Sequence, residues 1–215
     1  MAKLAENPAV TANVDVSDLP FPVPDDLLET AGWFDLIDEA RSGLVEFAGG
    51  QLRVSLTPAM TLIDVDGHLP VEVLAKAAAA AAADTIRRHC IGGSIGIDFP
   101  TVAGKAARQA IGEAIDDVLP KPFERTAVNG FGFLQIVRPR RHPSLFELAA
   151  DRAAFEARVL LRAAARHVGA VTLAANPAVI AAIRPDWTER LARQVGGGVA
   201  LRADPSLPMS GGHAH

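Results

Sequence analysis

Aspartates end two apolar runs of the sequence, and their spacing predicts that they meet. Asp64 and Asp66 lie in the run LIDVDG, and Asp98 lies in the run IGIDFP. Residues two apart on a strand share one face, so Asp64 and Asp66 project the same way. A helix between the two runs favours parallel neighbouring strands joined by a right-handed crossover. Their carboxyl ends would then lie side by side, where open α/β sheets bind ligands.

The chemistry favoured by such aspartates is the binding of a divalent cation. Carboxylates brought together repel one another unless a positive charge neutralises them. Hard oxygen ligands with room for water suit Mg²⁺ or Mn²⁺. An ion held in this way can orient a phosphate and activate water for hydrolysis. The alternative is that strand-end aspartates cap turns or helices, and the residues alone leave both interpretations open.

Basic residues near these runs are candidates for phosphate contact, the main source of sequence-independent affinity for RNA. Lys105 and Arg108 lie three apart on the helix predicted after Asp98, and therefore on one face of it. The other candidates are Arg125, Arg138, Arg140 and Arg141. The alternative is that these are solvated helix and loop charges. Phe131 and Phe133 alternate along a predicted strand, which favours the core over base stacking.

The elements that must position these residues follow an order typical of an α/β fold, with a mixed sheet flanked by helices over residues 25–146. Two short runs around Gly49 and Gly50 predict a hairpin. An alanine-rich helix and a second helix, capped by Thr101, separate the next strands. The predicted ranges are strands at 44–47, 51–56, 60–66, 94–99 and within 125–138, and helices at 71–90 and 101–119.

A second unit is predicted after the prolines and arginines of 138–143. Residues 150–205 combine helices with two short strands and indicate a small α/β domain. Residues 1–24 are predicted to form a poorly ordered acidic leader, and residues 206–215 a flexible tail. Residues 1–50 hold ten acidic and two basic side chains, which is a weak indication of a polyanionic partner for the more basic remainder.

Composition excludes several classes of protein. The 215 residues are 49% hydrophobic and 21% charged, a globular balance that excludes wholesale disorder. No apolar stretch approaches the roughly 18 residues of a membrane span, and the N-terminal residues do not resemble a secretory signal. The single cysteine, Cys90, excludes an internal disulfide and a multi-cysteine zinc site, so no structural zinc is expected. We therefore expect a cytoplasmic protein that does not bind membranes.

Three side chains near the predicted elements have plainer interpretations. Cys90 follows an apolar helix and is predicted to be a buried thiol. His89 and His142 flank apolar runs and are interpreted as surface or capping residues, with a general-base role as the alternative.

Several runs together resemble the ribonuclease E/G family. The stretches are GGQLRVSLTPAMTLIDVD, AADTIRR, GGSIGIDF, RTAV, FGFLQIVRPR and the later Ser-Leu pair. Their order and spacing are similar to the DNase-I-like catalytic subdomain of that family over about residues 40–145. Residues from about 151 to 205 resemble the family's small domain more loosely.

The resemblance implies that Asp64 and Asp98 bind the catalytic Mg²⁺. The family usually has asparagine at the position of Asp66, so this chain would offer a third carboxylate. The resemblance does not extend to the family's RNA-binding domain, to its five-prime-end pocket or to the cysteine pair of its zinc link. Gly130 stands where some members place a sensing arginine.

These observations predict an endoribonuclease that hydrolyses phosphodiester bonds of single-stranded RNA with Mg²⁺ or Mn²⁺. Asp64 and Asp98 would be catalytic, and Asp66 would join them as a metal ligand. The predicted RNA-binding residues are Lys105, Arg108, Arg125, Arg138 and Arg140. The alternatives are a non-catalytic RNA-binding or assembly module, and a nuclease that forms a homo-oligomer or needs a partner protein to grip RNA.

Overall fold

The computed structural model describes residues 26–215, so the predicted acidic leader lies outside the described residues. The chain divides into two compact units, one ending at Asp35 and one spanning Leu36–His215. Helix α1 (Leu27–Thr30) lies in the first, and α2 (Trp33–Ser42) continues into the second. Within the described part of the chain, no helix combines the length and apolar character needed to cross a membrane.

A six-stranded mixed sheet forms the centre of the larger unit, with strand order β1-β2-β3-β4-β6-β5. The neighbours β3 and β4 are parallel, and every other neighbouring pair is antiparallel. This confirms the predicted α/β class with a mixed sheet and helices. The strands are β1 (Leu44–Phe47), β2 (Gly50–Leu56), β3 (Thr61–Gly67), β4 (Gly93–Asp98), β5 (Glu124–Arg125) and β6 (Phe133–Arg138).

One face of this sheet is covered by two helices, α3 (Val71–Arg88) and α4 (Lys105–Val118). Alanines at helical spacing form the buried face of α3, and their small side chains let the helix pack closely. The strand residues of this core are fully buried: Leu52, Ile63, Ile95, Ile97, Leu134 and Ile136. Because side chains alternate along a strand, the residues between them project from the other face, which we call the open face.

The start of α4 differs from the prediction. Gly104, with φ of +87°, is the N-cap residue, and no side chain caps the helix. Thr101 was predicted to be the cap, but its hydroxyl donates to the carbonyl of Phe131 at 3.2 Å. The chain therefore takes a longer loop between β4 and α4 than the sequence indicated.

The C-terminal third of the chain builds a second core around a three-stranded sheet of order β8-β7-β9. A capping box, in which Ser144 and Glu147 bond each other's backbone N–H, begins the first of its helices. The elements are α5 (Leu145–Ala150), α6 (Arg152–Ala164), β7 (Val171–Ala175), α7 (Pro177–Ala182), α8 (Pro185–Val195), β8 (Val199–Ala203) and β9 (His213–Ala214). Both cores lie within the one compact unit Leu36–His215.

The residues predicted as a flexible tail, 206–215, instead complete this second sheet. β9 pairs with β7 in antiparallel fashion. The backbone N–H groups of Thr172 and His215 each donate to the other's carbonyl, at 2.8 and 3.1 Å. The unpaired edge of β7 supplies the hydrogen bonds, and Gly212 lets the chain approach Ala175 and Leu160 closely. A two-residue strand carries no hydrophobic period, which is why the prediction was wrong.

The end of α3 also corrects two expectations. The capping interpretation of His89 is confirmed, because it is the C-cap residue of α3. The surface interpretation is wrong, because the side chain is fully buried and its ring stacks on Phe146 with centroids 4.4 Å apart. Cys90, predicted to be buried, is exposed and has φ of +57°. The left-handed backbone turn after the helix rotates the thiol away from the core, while α5 covers the histidine.

Candidate functional site

Asp64 and Asp98 lie directly opposite each other on the parallel strands β3 and β4. Both side chains are on the open face and both are exposed. Neighbouring strands run about 4.8 Å apart, so two carboxylates in register stand side by side. The predicted meeting of these residues at one sheet edge is confirmed by this register. Among residues 26–215, both aspartates are therefore accessible to solvent.

The same row of the sheet continues on both sides of the pair. Arg53 of β2 lies opposite Asp64, and Phe133 of β6 lies opposite Asp98. The row therefore reads arginine, aspartate, aspartate, phenylalanine across the open face. We call these residues (Arg53, Asp64, Asp98 and Phe133) the acidic row. Our sequence reasoning missed Arg53, although the alternation in QLRVSL places it outward between Leu52 and Val54.

Asp66 is displaced from the pair by one further step along β3. It lies opposite Gln51 of β2, while the pairing of β4 ends at Asp98. Two residues along a strand correspond to about 6.6 Å, so Asp66 shares the face of Asp64 but not its row. It lines a shallow pocket of about 400 Å³ with Glu46 and His68. Among residues 26–215, no group of three or more His, Cys, Asp or Glu side chains is placed to hold a metal ion.

A tight loop carries an aromatic ring to the same edge as Asp98. The side-chain oxygen of Asn129 accepts from the backbone N–H groups of Phe131 and Phe133, at 2.9 and 3.0 Å. Gly132 has φ of +98°, and its carbonyl accepts from the N–H of Phe99 at 3.1 Å. These bonds hold the loop while the ring of Phe131 is left 85% exposed. Such a ring is a platform on which an unpaired base can stack.

The side chain of Phe133 lies on the open face and covers Gly96 of the neighbouring strand, β4. A Cβ atom added to Gly96 would lie 2.6 Å from Cζ of Phe133 and 2.9 Å from Cδ2 of Leu62. The ring therefore occupies the space above Gly96, next to Asp98. Phe133 thus packs on the open face and stays partly accessible. The prediction that Phe131 and Phe133 belong to the core is wrong, since neither lies in a buried cluster and Phe131 is 85% exposed.

Of the predicted RNA-binding residues, the two on α4 follow Asp98 most closely in the chain. Lys105 is the first residue of α4, which begins six residues after β4 ends, and it is exposed. Arg108 donates from Nη1 to the carbonyl of Val102 at 3.2 Å and is partly buried. Lys105 is therefore available to a ligand, whereas Arg108 steadies the loop that leads from β4.

Arg125 lies on the other face of the sheet. It pairs with Ile136, whose side chain is in the core, and its guanidinium binds both carboxylate oxygens of Asp116 at 2.9 and 2.5 Å. Hydrogen bonds from Arg125 hold the pKa of Asp116 below its ordinary value, and the same contact raises the pKa of Arg125. Arg125 therefore connects β5 to α4, and the structure does not bring it to the aspartates.

Arg138 and Arg140 lie at the opposite end of the sheet. Arg138 pairs with Gly93, five positions before Asp98, which is roughly 17 Å along the strand. Arg138 donates from Nη1 to the carbonyls of Ile91 and Ile86, at 3.3 and 3.5 Å. Arg140 pairs with Glu147 at 2.7 Å. The structure does not place these two arginines beside the aspartates either.

Compared with models of known protein families and with curated proteins, the chain matches none. What this site does must therefore be argued from its own residues and geometry.

Proposed function

We propose that the chain is a divalent-metal-dependent endoribonuclease of ribonuclease E/G type, acting on single-stranded RNA at the acidic row. The observation that supports this proposal is the register of Asp64 and Asp98 on parallel strands, with both carboxylates exposed. The resemblance of the surrounding runs to the ribonuclease E/G family adds to it. A shared fold alone does not imply a function, and these two side chains are what supports the activity.

The donor set fits Mg²⁺ or Mn²⁺. Mg²⁺ keeps several water ligands and is commonly held by one or two carboxylates together with substrate phosphates. Asp64 and Asp98 supply two such carboxylates from rigid, neighbouring strands, with solvent on the open side. Asp66 lies one row away and would contact water or substrate near the ion. When bound, the ion would supply an activated water and neutralise charge on the phosphate.

The protein's own residues would hold the RNA around that point. The guanidinium of Arg53, beside Asp64, is placed to bind a phosphate of the chain, because arginine offers donors in a planar fork. Phe131 offers an exposed ring for a base on the other side of Asp98. Lys105 adds a positive charge at the same edge. A backbone phosphate between these groups would lie over the aspartate pair.

The experiment is cleavage of a fluorescently labelled, unstructured RNA by the full chain with Mg²⁺ or Mn²⁺. Asp64→Asn and Asp98→Asn should each lower the rate at least roughly 100-fold, since ligand loss exceeds the roughly 10–100-fold seen for residues that support a ligand. Asp117→Asn, an exposed aspartate on α4, is the matched control and should cleave like wild type. A wild-type protein that is inert with both metals would overturn the proposal.

A second candidate is a non-catalytic RNA-binding or assembly module. Two observations favour it: Arg53 lies opposite Asp64 in the register of β2 and β3, and the described residues contain no three-ligand acidic group. This candidate predicts RNA binding that weakens with salt and does not respond to Mg²⁺. Asp98→Asn would then leave affinity unchanged or increase it, because a negative charge beside the RNA is removed. The same set of variants therefore separates the two functions by rate and by affinity.

A further inference from the structure

A second polar pocket lies at the end of the sheet opposite to the acidic row. Its volume is about 280 Å³, and three segments of the chain meet there. Cys90 follows α3, Lys121 follows α4, and the segment after β6 supplies Arg141 and His142, with Arg138 at the end of the strand. We call this the basic pocket. It uses none of the residues of the acidic row.

The lining of the basic pocket is positively charged and contains no carboxylate. Arg138 is held in place by the carbonyls of Ile91 and Ile86, which fixes its charge at the base of the pocket. Lys121 is held over the ring of Phe123, with Nζ 3.8 Å from the ring centroid. Two cations are thus positioned by neutral partners, and the charge of Lys121 also helps to lower the pKa of Asp116.

The acidic groups nearest in the chain are already engaged elsewhere. Glu147 pairs with Arg140 at 2.7 Å and accepts from the N–H and hydroxyl of Ser144, at 2.7 and 2.9 Å. Burial raises the pKa of Glu147, but these hydrogen bonds and the charge of Arg140 outweigh it, so the carboxylate stays ionised. Asp116 binds Arg125. Within residues 26–215, neither Lys121 nor Arg141 forms an ion pair.

We propose that the basic pocket binds a phosphate group carried by a small molecule, either a phosphate monoester or a diphosphate. Several cations converging on a polar cavity are stabilised by an anion, and arginine and lysine are the usual protein ligands of phosphate. The volume lies just below the roughly 300–1,000 Å³ of pockets that enclose a whole drug-sized ligand. It therefore fits the charged head of a ligand, with the remainder in solvent. This site goes beyond the proposed nuclease and does not depend on it.

Cys90 provides a direct test, because it lines the pocket, is exposed and is the only cysteine of the chain. The rate at which iodoacetamide, a neutral reagent, labels the wild-type protein is measured at constant ionic strength. Pyrophosphate and glycerol phosphate should slow labelling as they fill the pocket, while chloride should not. A labelling rate that does not change with either phosphate compound overturns the proposal.

Two variants locate the effect in the pocket. Arg141→Gln should lose the protection by pyrophosphate, and Arg193→Gln, an exposed arginine on α8, should keep it. Protection that survives in Arg141→Gln would overturn the assignment.

An RNA oligomer with hydroxyl groups at both ends distinguishes the source of the phosphate. If that RNA protects Cys90 while pyrophosphate and glycerol phosphate do not, the pocket binds RNA backbone and the small-molecule proposal is wrong. Asp98→Asn should not alter protection, whatever its effect on RNA cleavage.

Discussion

Arg53 and Asp64 face each other across β2 and β3, in the row that also contains Asp98. A positive charge therefore stands beside the two carboxylates that we propose as metal ligands. It lowers the repulsion between them in the absence of a cation, and it competes with any cation that binds. The same guanidinium is placed to contact the phosphate of a substrate, so its removal should have opposite effects on metal and RNA.

Replacing Arg53 with glutamine should tighten the binding of Mn²⁺ to the aspartate pair. Arg53 and both aspartates are exposed, and unit charges about 5–6 Å apart in surroundings as polar as water interact by roughly 1 kcal/mol, which corresponds to about a fivefold change in affinity. Mn²⁺ binding is measured by electron paramagnetic resonance, with Arg193→Gln as the control. The same variant should bind single-stranded RNA more weakly. Metal affinity that falls or stays constant would show that Arg53 does not act on the site.

Part of this site follows from sequence because it depends on topology. A strand–helix–strand order requires the carboxyl ends of both strands to meet at one edge, and this placed Asp64 and Asp98 together. The neighbour of Asp64 on the other side depends on the register of β2 and β3, which is set by the turn that Thr57 and Met60 close with hydrogen bonds. The alternation of β2 predicts that Arg53 projects from the open face. It does not predict the register, which decides whether Arg53 lies opposite Asp64 or Asp66.

The hydrogen-bond partners of the predicted RNA-binding arginines could not be predicted from the sequence. The sequence predicts Arg125 to be available for phosphate, but Asp116 on a packed helix accepts from its Nε and Nη2, and the carbonyl of Thr126 accepts from its Nη1. Arg138 is occupied by backbone carbonyls that exist only once α3 has ended in its particular turn. Such partners are chosen by tertiary packing, which no local pattern encodes.

The buried ring of His89 makes close contacts through both of its nitrogens. Nδ1 lies 3.1 Å from the carbonyl oxygen of Thr85, and Nε2 lies 3.0 Å from Oε2 of Glu39. Arg88 donates to the same carboxylate at 3.1 Å and also binds Asp84 at 2.8 Å. Burial raises the pKa of Glu39, but the contacts with His89 and Arg88 outweigh it, and the pKa lies below its ordinary value of 4.5.

Glu39→Gln should therefore destabilise the protein in a pH-dependent manner. Because the folded-state pKa of Glu39 is lowered, its contribution is complete above the unfolded-state pKa and is lost as pH falls through the folded-state pKa. The variant should lose about 1–3 kcal/mol of unfolding free energy at pH 7, the cost of leaving a buried polar partner unsatisfied. Urea unfolding between pH 7 and pH 3 measures this difference, which should shrink in the acid range. Glu189→Gln, an exposed glutamate, should show no such dependence.

Gly132 allows the loop of Phe131 to close against β4, and its replacement should be costly. Gly132→Ala would place a Cβ atom in collision with the carbonyl oxygen of Phe99, in a backbone with φ of +98°. Gly104→Ala is the matched control, since its φ is +87° and nothing lies within 4 Å of the added atom. The control should lose about 1–2 kcal/mol from backbone strain alone, and Gly132→Ala should lose clearly more. If thermal unfolding shows the same loss of stability for Gly132→Ala and Gly104→Ala, the collision with Phe99 makes no contribution.

Arg41 and Glu156 form a two-pronged ion pair between α2 and α6, with N–O distances of 2.9 and 2.7 Å. Glu156 is only 3% exposed, and Arg152 adds a contact at 3.4 Å. Arg41→Met should cost about 2–4 kcal/mol, because it leaves a buried carboxylate with one weak partner. The double variant Arg41→Met/Glu156→Leu should recover part of that loss. A double variant as unstable as the sum of the single ones, by urea unfolding, would show that the pair is not coupled.

Strand β9 has a consequence for how the protein is made. The central strand of the small sheet, β7, ends at Ala175, and its second neighbour begins 38 residues later at His213. A ribosome working at 5–20 residues per second needs roughly 2–8 s to add that length. β8 begins 24 residues after β7 ends, so the nascent chain carries β7 with both sides open until then and with one side open afterwards. The last few amino acids to join the sheet are those that seal it.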